Sequence, residues 1–271
     1  MRILYLSLVL SSACLIAFAG NILGLYYPRF NVTAQAELGI SSRERKLLER
    51  ASSQGFQISE AELDPQDPDR EIYLYTVLYQ NSSDSQWHNL CQPDRDNLTK
   101  ALFLSGEWDE TGKHIDNQEV TIACTSGVLA KCVRWGYKPW KTLQGVSLRD
   151  YHQACTRMAR ADYCGNGISH TKDGTLIDLY DRLGIQQKTE DNDMVFEAAW
   201  GTDGAVLIHR PRYSETLVQI QQDCPEKLDL AHQSLTRAEI QQQIPTALIF
   251  NDSFIKKPLS PSQEIKDAIS R

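Results

Sequence analysis

Hydrophobic and polar positions alternate most cleanly between Glu71 and Tyr79. Ile72, Leu74, Thr76 and Leu78 fall on one face, and Tyr73, Tyr75, Val77 and Tyr79 on the other. Aromatic and β-branched residues on both faces predict a strand covered on both sides. Lys100–Trp108 and Gln118–Cys124 read as two further strands, and the turn residues Asp109–Gly112 lie between them. Three strands parted by turn chemistry predict an antiparallel sheet in the N-terminal half. The period changes to that of a helix at Ser147. Tyr151, Ala154, Cys155 and Met158 recur at i, i+3, i+4 and i+7, a buried stripe on a helix capped by Ser147 and running to Tyr163. Arg149, His152, Arg157 and Arg160 lie off that stripe and are expected to face solvent. Shorter helices are expected at Ser41–Ala51, Gly127–Trp135 and from Thr236 to the stop at Pro245. A hairpin is expected around Gly201–Gly204, and a last strand at Ala247–Phe250. The expected fold is α+β, with an antiparallel sheet drawn from both halves and one principal helix packed across it.

The N-terminus adds a compartment. Arg2 precedes an uncharged apolar run, Ile3–Ala19, and Ala17-Phe18-Ala19 places small residues where a signal peptidase reads. Residues 1–19 are therefore read as a signal peptide, with an uncleaved N-terminal anchor as the alternative. Residues 20–70 then form an irregular, short-helix segment ending in an acidic, proline-bearing linker over 60–70. A single domain follows over 71–255, and 256–271 is a polar tail. Loss of Cys14 with the signal leaves Cys91, Cys124, Cys132, Cys155, Cys164 and Cys224. An even number of cysteines in an exported chain predicts disulfides, here in any of 15 connectivities. Zinc is the rival reading on His152, Cys155 and Cys164. The close ligand pairs of a structural site are missing, and no metal is expected. A formal charge of −7 without a basic run removes the footprint of a nucleic-acid binder. It equally gives no reason for membrane attachment beyond the signal or anchor.

Chemistry is sought where polar residues cluster. A histidine beside an acid can move protons, so His170 or His152 is a candidate base with Asp173 or Asp162 as its orienter. Arg157 and Arg160, one turn apart, suit a carboxylate or phosphate, or else internal ion pairs. Trp135, Tyr137 and Trp140 frame Gly136 and Pro139 as either a stacking platform or core. A free catalytic or redox thiol is disfavoured by the even cysteine count, and no cofactor is expected.

Ala161-Asp162-Tyr163-Cys164 stands among the runs CVRWGYKPW, HQACTRMARADYCG, HTKDGTLIDLYD and FEAAWGTDGAV. In that order they resemble the ADYC domain family, over Thr121 to Arg212. The resemblance implies a bacterial exported protein and lends no activity or catalytic residue. The function expected is that of an exported, disulfide-stabilised, non-enzymatic binding or structural module. It would act through the aromatic loop and the His170 loop on an envelope polymer or another exported protein. The alternative is a hydrolase of an envelope polymer using a His/Asp pair near His170.

Overall fold

The computed structural model describes residues 41–53, 55–81, 83–190, 193–228 and 237–255. The signal or anchor segment, the stretch up to residue 40, Thr236 and the tail 256–271 lie outside the described residues. The fold class is the expected one, but the strands form two main antiparallel sheets instead of one.

The first sheet holds β1 (Gln57–Leu63), β2 (Tyr73–Gln80), β3 (Trp87–Asn89), β4 (Ala101–Trp108) and β5 (His114–Cys124). Its order is β1-β2-β4-β5, with β3 also paired to β2. The alternation in β2 works as expected. Tyr75 and Val77 pack with Phe103 beneath Leu47, Leu48 and Ala51 of α1 (Ser42–Ser53). Ile72 and Leu74 pack on the other face with Leu102, Leu104 and the Ala130 and Val133 side chains of α2 (Val128–Arg134). Ser41 caps α1, its Oγ accepting from Glu44 N–H at 3.2 Å.

The second sheet holds β8 (Ile177–Asp181), β9 (Val195–Gly201), β10 (Gly204–Ile208) and β11 (Ile249–Ser253), in the order β10-β9-β11-β8. A two-stranded ribbon, β6 (Thr142–Leu143) with β7 (Val146–Ser147), leads into α3 (Leu148–Arg160). The α3 stripe of Tyr151, Ala154, Cys155 and Met158 packs against Ala198, Trp200, Ile208 and Ile249. On the opposite face, Tyr180, Ala199 and Phe250 meet Ile240 of α5 (Arg237–Gln243). The layers therefore run helix, sheet, helix pair, sheet, helix, with α2 and α3 in the middle. A short helix, α4 (Leu217–Asp223), completes the elements.

Four expectations are corrected. First, α3 ends at Arg160, three residues before Tyr163. Ala161 turns left-handed (φ 50°), and Asp162 N–H bonds back to the Arg157 carbonyl at 2.9 Å. Second, its off-stripe side is only partly in water: Arg149 is exposed as expected and Arg160 half-buried, but His152 is 1% and Arg157 2% exposed, because α2 and the β4–β5 hairpin cover them. Third, the solvated linker at 60–70 is in fact β1 and an ordered turn. Asp64 and Asp67 are buried there, pairing with Arg134 (2.6 Å) and Lys138 (2.7 Å). Burial works against the charge of Lys138, yet Asp67, Asp69 and Glu71 together outweigh it and hold its pKa up. Fourth, the domain does not begin at 71, since α1 and β1 belong to the first sheet's core.

All six candidate cysteines are paired: Cys91–Cys124, Cys132–Cys155 and Cys164–Cys224. The second joins α2 to α3 across the middle layer. The readings that need a free thiol at these positions lose it.

Candidate functional site

Ala161–Cys164 is a joint. Ala161 supplies the helix-ending turn. Asp162, fully buried, accepts from Arg157 Nη1 at 2.6 Å and from Gly167 N–H at 3.1 Å. Tyr163 stacks on Trp200, ring centroids 5.1 Å apart. Its hydroxyl donates to Glu197 Oε1 at 3.0 Å and accepts from Arg212 N–H at 2.6 Å. Burial and the neighbouring Glu197 push its pKa far up, so it stays a donor. Glu197 is paired in turn with the Arg212 guanidinium, 3.0 Å for Nε to Oε2 and 3.0 Å for Nη2 to Oε1. Cys164 is bridged to Cys224. The β9–β10 turn docks on this joint backbone to backbone, Ala205 N–H donating to the Tyr163 carbonyl at 2.9 Å. That approach requires two glycines. A Cβ on Gly165 would run into the Asp203 carbonyl, and one on Gly204 would stand 2.6 Å from the Tyr163 carbonyl. All three functional side chains of the motif, Asp162, Tyr163 and Cys164, are thus occupied in holding α3 to the second sheet and its loops.

The proposed proton-transfer pairs do not assemble. No hydrogen bond among the described residues joins His152 or His170 to Asp162 or Asp173. His152 Nε2 sits 3.0 Å from the Leu129 carbonyl, its ring edge-on to Trp108, and burial pushes its pKa down to about 4. His170 is buried against Tyr163, ring centroids 5.8 Å apart. Burial lowers its pKa against the opposing pull of Asp162 and Asp223. His170 Nε2 and Asp162 Oδ1 are both buried without a partner among the described residues, but neither residue lines a described hollow. Asp173 is exposed in the next turn. The aromatic platform does not form either. Tyr137 is fully buried with its hydroxyl on Asp181 at 2.8 Å, Trp135 packs on the core around α3, and Trp140 lies under the Arg43 guanidinium at 4.0 Å.

The arginine pair is where the structure opens. A cleft of about 490 Å³ runs between the end of β5, the start of α2 and the covered side of α3. Ile122, Val128 and Leu129 form an apolar wall, with Trp108, Arg157 and Arg160 around it. Arg157 is held rigidly. Its Nε donates to the Thr202 carbonyl at 3.2 Å, and its Nη1 to the Thr111 carbonyl and to Asp162. Arg160 Nη2 donates to the Gly167 carbonyl, and no carboxylate pairs with Arg160 among the described residues. A smaller hollow of about 70 Å³ shares Trp108 and adds His114, Trp140 and His152. The cleft volume is that of a small-molecule site.

Trp108, Ile122 and Leu129 escape a reading of the sequence, because nothing in their local pattern separates a cleft wall from a core face. Glu197 was findable: a lone acid between apolar neighbours in a strand must have a buried partner. Among the described residues no group of side chains has the makings of a metal centre.

The family model of the ADYC domain matches residues 34–214. It reaches back through the first sheet, well beyond the motifs after Thr121. No curated protein and no solved structure matches the chain significantly.

Proposed function

This chain belongs to the ADYC domain family, and from its cleft we propose that it is an exported binding module of the bacterial envelope or exterior, non-enzymatic, whose ligand lodges between β5, α2 and α3. The observation that carries the reading is a ligand-sized hollow, about 490 Å³, walled by apolar side chains and two arginines. Its frame is rigid. Cys124, in the wall, is bridged to Cys91, and Cys132–Cys155 fastens α2 to α3. Three disulfides support an oxidising compartment, where such bonds persist. Among the described residues no helix is long and apolar enough to cross a membrane. The histidines that a hydrolase would use are buried and hydrogen-bonded to backbone or packed against Tyr163, which supports binding over turnover.

The test is a thermal-shift panel of sugars, amino acids, carboxylates and phosphate esters on the mature protein. At least one class should raise the melting temperature of the wild type, and the response should vanish in Leu129→Trp, which fills the cleft. An equal response in the filled variant, or none in the wild type, would overturn the reading. So would soluble fragments released from purified cell-wall sacculi by the wild type and not by His170→Ala.

A further inference from the structure

Three side chains around the cleft have donors left over. Arg157 spends Nε and Nη1 on protein acceptors, and its Nη2 has no partner among the described residues. Arg160 spends only Nη2. Trp108 Nε1 is buried with no acceptor among the described residues. A buried donor without an acceptor is costly, and most native ones are satisfied by something. Three side chains with spare N–H groups around one cleft call for an acceptor brought from outside.

The charges sharpen this. Asp162 answers Arg157 at 2.6 Å, so of the two arginines Arg160 is the one with no carboxylate partner among the described residues. The acid in the cleft lining, Asp109, has Oδ1 held by its own turn, taking Thr111 Oγ1 at 2.7 Å and Lys113 N–H at 2.9 Å, and its charge acts on Arg157. Gly112 makes the room. A Cβ there would stand 2.9 Å from Arg160 Nη1, so only a glycine lets the turn come this close to the guanidinium. The same cleft is lined by the apolar side chains of Ile122, Val128 and Leu129.

Resting on the binding-module reading, we propose that the cleft takes an amphiphilic oxyanion, a carboxylate or phosphate on a short apolar chain. Its head sits at the Arg157–Arg160 pair and its chain lies on Ile122, Val128 and Leu129. The planar guanidinium fork suits either head, and desolvated charge-assisted bonds hold it more firmly than neutral ones.

Calorimetric titration of the mature, oxidised protein tests this with decanoate, decyl phosphate, decanol and acetate, each below any micelle threshold. Decanoate or decyl phosphate should bind, and the stronger of the two identifies the head. Decanol, with the same chain and no charge, and acetate, with a charge and no chain, should each bind about tenfold or more weakly. Arg160→Gln should weaken the binding anion about tenfold and leave decanol unchanged. Val128→Asp, which spares the arginines, should weaken every ligand that carries a chain. Both variants should retain three disulfides and a cooperative melt. If Arg160→Gln is misfolded, the ratio of decanol to decanoate affinity in the wild type decides alone. Decanol binding as tightly as decanoate would overturn the oxyanion assignment and leave the cleft reading intact. No binding by either anion overturns the proposal, and the thermal-shift panel then judges the wider reading separately.

Discussion

His152 has its imidazole shut between Trp108 and the Leu129 carbonyl, where a proton is unwelcome. Its pKa falls from the ordinary 6.5 to about 4 through burial, so between those values the unfolded chain holds a proton that the folded chain refuses. The sign follows: stability is full above pH 6.5 and declines as the pH drops to 4, by about 3 kcal/mol if nothing else titrates. His170, shifted the same way, adds to the slope. Urea unfolding at pH 7, 5.5 and 4 should show the decline, and His152→Gln should flatten it. An unchanged slope in that variant would remove His152 from the account. At this scale the sequence is least informative. Glu197 announces itself by its apolar neighbours but not its partner, Arg212, and Asp162 looks like any acid until the turn after α3 brings it back onto Arg157.

Elements were legible where a single face decides them. The alternation of β2, the stripe of α3 and the Gly201–Gly204 hairpin all formed within a few residues of expectation. What could not be read was shaped by distant partners. In β1, Glu60 and Glu62 obscure the strand pattern, and Lys100 pairs with both at 2.8 and 3.4 Å. β8 becomes a strand by pairing with β11, about seventy residues later. On the off-stripe side of α3, His152 and Arg157 are buried against expectation because an amphipathic pattern tells which side is apolar, not whether the other side is wet. The β9–β10 hairpin carries a test at this scale. Gly204→Ala puts a side chain at φ 103° and against the Tyr163 carbonyl. A loss of about 3 kcal/mol or more in denaturant unfolding is expected, against about 1 kcal/mol for Gly174→Ala, where strain is present but space is open. Equal costs at the two positions would mean that the backbone contact with the joint is unimportant.

Across the whole molecule, two sheets share one central helix pair, and three disulfides brace it: one fastens the segment after β3 to the end of β5, one joins α2 to α3, and one fastens the joint after α3 to the end of α4. The bridged residues lie 33, 23 and 60 positions apart. Because the stabilisation grows only with the logarithm of loop length, each bond contributes about 3–4 kcal/mol. Three of them rival the entire net stability of an ordinary domain, about 5–15 kcal/mol. Adding dithiothreitol before a thermal scan should therefore lower the melting temperature by tens of degrees or abolish the transition; an unmoved midpoint would show the bonds to be ornamental. The topology of the second sheet also sets a practical boundary. β11, at 249–253, lies between β8 and β9, and Cys224 clasps the joint, yet both come after the last residue matched by the family. A chain cut at 214 would keep every signature residue while leaving β8 with no neighbour and Cys164 with an empty hand. Anyone expressing this domain by its sequence borders would be purifying a building without its middle beam.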